Sequence, residues 1–388
     1  MEFLYLLEKI RNPVLDFFFS LITHIGEETV FLAIAIIFFW CINKYEGYYI
    51  LITGLVGTVI NQTLKLAFRI PRPWVLDPEF KIVESARAEA TGYSFPSGHT
   101  QNTAGTFGAI GCFSKRRWLS VTMLVVIVLV AFSRMYLGVH TPKDVCVSLL
   151  VAAVLLAVLY PVFSSEERFH KFMPIVAAVS IALSVGLLLY AFLVPEEGID
   201  PANLHSARKN ASTLFACTLC LLPVYYIDKK YTKFDTAAPW YAQIIKVAVG
   251  LGIVLGIKSG LSKPLEMLFG NEFIARGVRY FLIVAFAGIL WPMTFKFFAK
   301  MPSFTTDDKN YYGVMTLLFN SFGVPCFMQG KARAGVLNIV VSIATLGVVG
   351  IINTALGIVK GIQILCMSDE EYKATDKDLL LRGIPFCK

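Results

Sequence analysis

The stretch VTMLVVIVLVAF (residues 121–132) runs directly into SRMYLGVHTPKD (residues 133–144), and together they indicate both a fold class and a chemistry. The first stretch is almost entirely apolar, in a chain of 388 residues that is 56% apolar and only 16% charged. Soluble domains usually carry about 25% charged residues. Since a helix needs about 20 apolar residues to cross a bilayer, the composition excludes an ordinary soluble domain and predicts a multi-pass membrane protein.

The other apolar runs extend this prediction to an all-α, polytopic bundle of membrane helices. Residues 1–24 mix Lys9 and Arg11 with Leu, Phe and Ile, which favours an amphipathic helix at the membrane interface. Nine predicted spans follow, at about 26–42, 47–68, 97–113, 118–138, 143–163, 172–194, 211–227, 241–260 and 277–296. Two further apolar segments, about 312–328 and 335–366, precede a charged tail.

Basic residues predict the orientation of these spans in a cell membrane. If every run crosses once, Lys44, Lys115-Arg116-Arg117 and Lys229-Lys230 lie on one side, which should be the cytoplasm. The polar stretch 69–95 and the turn 138–143 then lie on the extracytoplasmic side. The formal net charge of +8 is explained by these loops, so no nucleic-acid partner is predicted.

Two polar segments at the ends of spans offer groups that bind an anion. Lys65 and Arg72 are seven residues apart, so they can share one helix face, although snorkelling to lipid headgroups would also explain them. The segment YSFPSGHT (residues 93–100) opens a helix, where the free N–H groups of Ser97 and Gly98 suit an anion. His99 beside them has the pKa range of a proton donor, although an ordinary capping turn is the alternative.

A third segment holds a predicted nucleophile. Arg134 lies near the end of a span, His140 lies in the following turn, and Asp144 is one helical turn beyond it. A carboxylate that accepts from one imidazole nitrogen leaves the other nitrogen free to attack. A surface His–Asp pair without catalytic function is the alternative for this segment alone.

Taken together, the three segments supply three cations, two histidines and one carboxylate on one predicted face of the membrane. Phosphoryl transfer needs positioning of the phosphate and neutralisation of its oxygens. Lys65, Arg72 and Arg134 can supply both without Mg²⁺. The sequence therefore predicts a phosphatase that works through a phosphoenzyme and uses no metal or other cofactor.

The same segments carry a family resemblance. The patterns K-x6-R-P (65–73), P-S-G-H (96–99) and S-R-x5-H-x3-D (133–144) resemble the signature of the type 2 phosphatidic acid phosphatase superfamily, which includes bacterial acid phosphatases and vanadium haloperoxidases. The resemblance implies a helical bundle with an extracytoplasmic site for a lipid phosphate or diphosphate, of polyprenyl or phosphatidate type. It implies that His140 forms a phosphohistidine, Asp144 orients it and His99 protonates the leaving oxygen. Phosphate binding is implied for five residues: Lys65, Arg72, Ser97, Gly98 and Arg134.

The chain is expected to divide into three parts. Residues 1–165 form the predicted catalytic core, 166–300 add transmembrane helices, and 301–388 resemble a small domain family of two transmembrane helices with a charged tail. Gly323, Phe327 and Gly330 in a short turn, followed by a glycine-rich helix, carry this second resemblance.

Other functions remain open on the sequence alone. A lipid transporter or scaffold with a relic site, a vanadium-dependent peroxidase, and transfer of phosphate to an acceptor other than water all retain the same motifs. The physiological lipid and the oligomeric state are not indicated by any motif.

Overall fold

A computed structural model describes residues 1–301, 306–331, 334–335, 338 and 348–383. Secondary structure throughout this part of the chain is helical, with no strand. The chain divides into two compact units, Met1–Lys300 and Met301–Lys388. The predicted all-α polytopic bundle is confirmed, whereas the functional division into three parts stays a prediction.

The first unit contains fifteen α-helices among its described residues. They are α1 (Glu2–Lys9), α2 (Pro13–Thr23), α3 (Glu28–Ile37), α4 (Lys44–Phe68), α5 (Pro73–Leu76), α6 (Gly98–Phe113), α7 (Arg117–Tyr136), α8 (Pro142–Phe163), α9 (Glu166–Leu193), α10 (Pro201–Leu219), α11 (Leu221–Ile227), α12 (Trp240–Gly260), α13 (Ser262–Phe269), α14 (Glu272–Ala285) and α15 (Phe295–Ala299).

Seven helical stretches among the described residues are long and apolar enough to cross a membrane, or eight if one bent pair counts as a span. The sequence predicted nine in this region. The first predicted span belongs to the bent pair, because Pro13–Gly26 and Glu28–Ile42 meet at 50°. The third corresponds to α6, whose 16 residues reach only about 24 Å. It is enclosed by α4, α7 and α8 instead of facing lipid along its whole length.

The N-terminal segment forms two helices where the sequence predicted one. Asn12 separates the two helices. Its side chain accepts from the N–H groups of Val14 and Leu15 and so caps the start of α2. Arg11 donates to the carbonyl of Tyr136 (2.9 Å), which ties the segment to the end of α7. The two helices therefore lie at the end of the bundle that carries the predicted site.

Helix α4 forms the centre of the first unit. Asn43 caps its start, and more than half of its 25 residues are buried. A Cβ on Gly47 would lie 2.4 Å from Cα of Phe39, so the absence of a side chain lets the π-helical turn Phe38–Ile42, which continues α3, pack directly against α4. The helix ends at Arg69, whose backbone is left-handed (φ 49°), and this reversal starts the loop to α6.

The turn between α7 and α8 is held by local hydrogen bonds. The Thr141 side chain and the Asp144 backbone and side chain form a capping box, and Pro142 occupies the first turn, where no N–H is needed. Gly138 has a φ of 82°, which a glycine adopts without strain. This geometry places His140 in the turn at the end of the bundle, two residues before the start of α8.

Helices α9–α15 extend the core. Helix α10 packs against both α4 and α14, so it joins the extension to the central helix. At the opposite end of the bundle, Lys44 at the start of α4 pairs with Asp228, directly after α11, at 3.0 Å. The start of α4 and the end of α11 therefore lie next to each other.

The second unit contains α16 (Lys309–Phe319), α17 (Val324–Met328), α18 (Val348–Cys366), α19 (Asp369–Ala374) and α20 (Lys377–Leu380). The apolar segment 312–328 contains two helices, because Gly323, which the sequence placed in a short turn, takes a left-handed conformation (φ 65°) between α16 and α17. Of the predicted segment 335–366, residues 336–337 and 339–347 lie outside the described residues. Helix α18 packs along α16.

Candidate active site

A cavity of about 200 Å³ lies at the end of the bundle that holds the three sequence motifs. Its walls come from α4, the start of α6, the loop before α6, the end of α7, the α7–α8 turn and α10. Six of the eight predicted site residues line it: Lys65, Arg72, Gly98, His99, Arg134 and His140. The fold therefore brings groups from distant parts of the chain to one polar site.

The tautomer of His140 follows from its contact with Arg72. Nη1 of Arg72 lies 2.9 Å from Nε2 of His140. A guanidinium has no acceptor, so Arg72 donates and Nε2 presents its lone pair. Nδ1 then carries the proton and faces Oδ2 of Asp144 at 3.5 Å. The nitrogen with the lone pair is the one that faces the cation-lined cavity.

Asp144 is held behind His140 by two other donors. Oδ2 accepts from the Ser94 hydroxyl at 2.6 Å and from the Thr141 N–H at 2.8 Å. The carboxyl is almost completely buried, with 1% of the residue exposed. These bonds fix the carboxylate at the edge of the imidazole, as an orienting group requires.

Three cations surround the lone pair of His140. Arg72 is anchored by backbone carbonyls: its Nε, Nη1 and Nη2 donate to Gly92 (3.0 Å), Val139 (3.0 Å) and Thr91 (2.7 Å). The Lys65 ammonium donates to the carbonyl of Tyr93. Arg134 donates to the Thr23 hydroxyl, while its buried Nε has no protein partner. Buried cations without carboxylate partners are costly, and a bound phosphate would compensate them.

Helix α6 contributes His99 and Gly98 to the cavity but not the side chain of Ser97. The Ser97 hydroxyl caps α6 by accepting from Thr100, and its N–H donates to the Asp144 carbonyl at 3.2 Å. Ser97 therefore holds the motifs together, whereas the sequence assigned it to the phosphate. Gly98 begins α6 and borders open space, because a Cβ there would meet nothing within 4 Å.

The electrostatics of the site favour a neutral nucleophile. Burial, followed by the positive charges of Arg72 and Arg134, lowers the pKa of His140 well below its ordinary value. An imidazole with a lowered pKa stays unprotonated at neutral pH and keeps its lone pair.

Glu89 is a neighbour of His99 that the sequence did not single out. Its Oε2 lies 3.5 Å from Nε2 of His99. The contact with His99 lowers the pKa of the Glu89 carboxyl, so the carboxylate form faces the ring. The site also gains Ser94 behind Asp144 and Asn210 from α10. No sequence motif marks Glu89, Ser94 or Asn210 as a site residue, because the loop before α6 and helix α10 reach the site only through the tertiary fold.

A small cluster of possible metal ligands adjoins His99. His24, Glu27 and Glu89 bring one ligand atom each to within 4.8 Å of one another. The three side chains are exposed or half-buried, and Nδ1 of His24 already contacts Glu27. Exposed acidic groups of this kind are common without an ion, and only Glu89 of the three also lines the cavity with the cations.

Two family models match this chain. The PAP2 superfamily model matches residues 45–168, and the model for the transmembrane extension of PAP2 superfamily phosphatases matches residues 212–302. No solved structure matches the chain significantly.

Several phosphatases from other organisms are similar to parts of this chain. A probable sphingosine-1-phosphate phosphatase of Dictyostelium discoideum is 30% identical over 38% of this chain and 38% of its own length. Sphingosine-1-phosphate phosphatase 1 of Rattus norvegicus is 24% identical over 66% of this chain and 62% of its own length. The chain thus spans less than two thirds of these two relatives. The undecaprenyl-diphosphatase BcrC of Bacillus subtilis (strain 168) is 32% identical over 37% of this chain and 73% of its own length. With the family models and this coverage, the chain belongs to the PAP2 superfamily.

Proposed function

We propose that this protein is a membrane-bound lipid phosphatase that hydrolyses a lipid phosphate through a phosphohistidine at His140. The observation that carries the proposal is the 2.9 Å contact between Arg72 and the Nε2 lone pair of His140, inside a cavity lined by two further cations. A lipid substrate is supported by the similarity to proteins named as phosphatases of sphingosine 1-phosphate and of undecaprenyl diphosphate.

In the first step, the phosphate replaces the His140 contact of Arg72 and binds between Lys65, Arg72 and Arg134. Nε2 of His140 attacks phosphorus, and an N–P bond forms as the P–O bond to the leaving alcohol breaks. Protonated His99 gives its proton to the leaving oxygen. Burial and Arg134 lower the pKa of His99 to about 4 in the empty site, whereas the Glu89 carboxylate at 3.5 Å and the charge of the bound phosphate favour the protonated form. Asp144 stabilises the positive ring of His140 through the proton on Nδ1.

In the second step, a water molecule takes the place of the leaving alcohol. His99 accepts a proton from this water as its oxygen attacks phosphorus. The N–P bond breaks, inorganic phosphate leaves, and His140 returns to its neutral form. Phosphoryl transfer of this kind depends on positioning and charge stabilisation, which the three cations provide.

The site is proposed to face the extracytoplasmic side of a cell membrane. Lys44 and Asp228 pair at the opposite end of the bundle, close to Lys229 and Lys230. Basic residues mark the cytoplasmic side of membrane proteins. Lys65 is 21 residues after Lys44 on the same helix, about 30 Å away along its axis.

The experiment that tests the function measures phosphate release by the detergent-purified protein with EDTA present. The substrates are phosphatidate, undecaprenyl diphosphate and a soluble monoester, and His140→Ala and Arg69→Lys are compared with the parent. We expect release that survives EDTA, vanishes in His140→Ala and persists in Arg69→Lys, which alters a cation outside the cavity. Release that stops with EDTA, or a fully active His140→Ala, would refute the mechanism.

A further inference from the structure

The catalytic cavity continues beyond the groups that the mechanism uses. Besides the groups assigned to the reaction, its walls carry a set of amide and carboxylate side chains: Glu28, Asn61, Gln62, Gln101, Asn102 and Asn210. These come from α3, α4, α6 and α10, so the fold assembles them from four helices. This wall is called the amide wall below.

Two members of the amide wall are buried without a partner. Asn61 is 2% exposed and Gln101 is 1% exposed, and both polar atoms of each amide lack a hydrogen bond within the protein. A buried polar atom without a partner costs about 1–3 kcal/mol, and polar groups inside membranes are functional by default. Because both side chains also line the cavity, an occupant of the cavity can satisfy them.

The packing around Gln101 leaves room for its amide. A Cβ on Gly57 of α4 would lie 2.6 Å from Nε2 of Gln101. On the same face of α4, Asn61 is one helical turn from Gly57 and Lys65 is one turn further. The buried amides therefore lie next to the cation that we assign to the phosphate, on the side towards the membrane interior.

The charges of the cavity differ between its two ends. The Lys and Arg side chains among its described lining residues are Lys65, Arg72 and Arg134, all grouped around the reactive phosphate. One carboxylate, Glu89, lies at that end beside His99, whereas the amide wall offers the Glu28 carboxylate and amides that both donate and accept, with no Lys or Arg among its residues. A second phosphate would meet a carboxylate there, without a further cation. A hydroxyl or ammonium group would find acceptors.

We propose that the amide wall is a leaving-group subsite that selects lipid monophosphates whose alcohol carries an ammonium or hydroxyl group near the ester oxygen. The proposal rests on the proposed function, because it assigns the group that leaves in the first step. It names an amino-alcohol lipid phosphate as the preferred class, above plain alkyl phosphates and isoprenoid diphosphates. Sites that hydrogen-bond a substrate hydroxyl or amine discriminate strongly against analogues without it.

The test compares kcat/KM for four detergent-dispersed substrates. Sphinganine 1-phosphate carries an ammonium and a hydroxyl near the ester oxygen, and a 1-acylglycerol 3-phosphate carries a hydroxyl there. Hexadecyl phosphate carries neither group. Farnesyl diphosphate carries a second phosphate. For the parent protein we expect sphinganine 1-phosphate to exceed hexadecyl phosphate by about tenfold or more, with farnesyl diphosphate lowest. A preference for the diphosphate, or equal rates for sphinganine 1-phosphate and hexadecyl phosphate, would overturn the proposal.

Variants then assign the preference to the amide wall. Asn61→Leu and Gln101→Met remove the amides at similar volume, and apolar replacements of unpartnered polar groups need not destabilise the fold. We expect each to lower kcat/KM for sphinganine 1-phosphate at least about tenfold more than for hexadecyl phosphate. Glu28→Gln should reduce the preference for sphinganine 1-phosphate over the acylglycerol phosphate. Thr53→Val is the matched control, since Thr53 is buried and unpartnered on α4 but does not line the cavity, and it should keep the parent's selectivity.

The outcomes separate this proposal from the proposed function. Equal losses on all substrates in Asn61→Leu and Gln101→Met would mean that the amides support folding or the chemical step, and the subsite would be wrong. The proposed function fails on a different result, namely hexadecyl phosphate hydrolysis that is unaffected by His140→Ala. A selectivity change in Thr53→Val as large as that in Asn61→Leu would also contradict the subsite.

Discussion

At the scale of single residues, the site depends on hydrogen bonds that hold charged groups in one orientation. Arg72 shows this most clearly, since three backbone carbonyls fix its guanidinium while the remaining contact reaches His140. Lysine would carry the same charge but lacks the planar fork that makes these bonds together. The position of the charge, and not its presence alone, defines the proposed phosphate site.

Ser94 should matter for catalysis although no motif marks it. Ser94→Ala removes the 2.6 Å bond to Asp144, which leaves the carboxylate with one fewer donor and a less defined orientation. Bonds to charged groups contribute about 1.5–3 kcal/mol, so we expect kcat to fall by about tenfold or more. Steady-state phosphate release measures this. Ser180→Ala is the control, because Ser180 is equally buried but donates to the carbonyl of Val176 in α9. Unchanged kcat in Ser94→Ala would contradict the orienting role of Asp144.

The lowered pKa of His140 leads to a spectroscopic prediction. The ordinary histidine pKa is about 6.5, and burial with Arg72 and Arg134 moves that of His140 below it. As the pH falls through 6.5, free histidines therefore become charged while His140 stays neutral, with its proton on Nδ1. Nitrogen NMR of histidine-labelled protein without substrate, assigned with His140→Ala, reports both the pKa and the tautomer. A His140 that titrates at or above about 6.5, or that carries its proton on Nε2, would be inconsistent with our site.

At the scale of helices, the core depends on close contact between α4 and the π-helical turn Phe38–Ile42 that continues α3. Gly47→Ala places a methyl group 2.4 Å from the Phe39 backbone, which cannot move away as a side chain could. Overpacking of this kind costs about 1–3 kcal/mol, so we expect a lower midpoint of thermal unfolding in detergent. The control is Gly186→Ala in α9, where a Cβ meets nothing within 4 Å. Equal midpoints for both variants would contradict the packing described here.

Motif spacing predicts which groups meet at the cavity, because each motif lies within one helix end or turn. His140 and Asp144 share a capping turn, and Lys65 precedes the reversal at Arg69, so local geometry already limits their positions. Ser94, Glu89 and Asn210 could not be predicted in this way, since each reaches the site through contacts across the bundle. The Ser97 hydroxyl caps α6 and the residue does not line the cavity, so its contact with the phosphate stays a prediction.

Apolar patterning predicted the helices but not all their lengths. Hydropathy does not distinguish a lipid-facing span from a short helix enclosed by others, which is why α6 was predicted as a full span. Gly323 was assigned to a turn, and its left-handed conformation in fact divides the apolar segment 312–328. The buried amides Asn61 and Gln101 were overlooked because single polar residues in an apolar run barely change its mean hydropathy.

At the scale of the whole molecule, the bundle separates a catalytic end from a basic end. This predicts that Lys81→Cys, in the exposed loop near the site, reacts with a membrane-impermeant maleimide added outside intact cells. Lys115→Cys, in the exposed loop between α6 and α7, should react only after the cells are opened. The unmodified chain provides the background from native cysteines. The reverse pattern would place the site on the cytoplasmic side and contradict the proposed orientation.

The central claim is that phosphate passes through His140, and trapping the phosphoenzyme tests it most directly. Purified protein is mixed with a lipid phosphate labelled in the phosphoryl group, denatured within one turnover, and mapped by mass spectrometry. Our account predicts a label on His140 that is labile to acid and stable to base, absent from His140→Ala and longer-lived in His99→Ala because deprotonation of the attacking water is impaired. Turnover without any label on His140, or a label on another residue, would contradict the account.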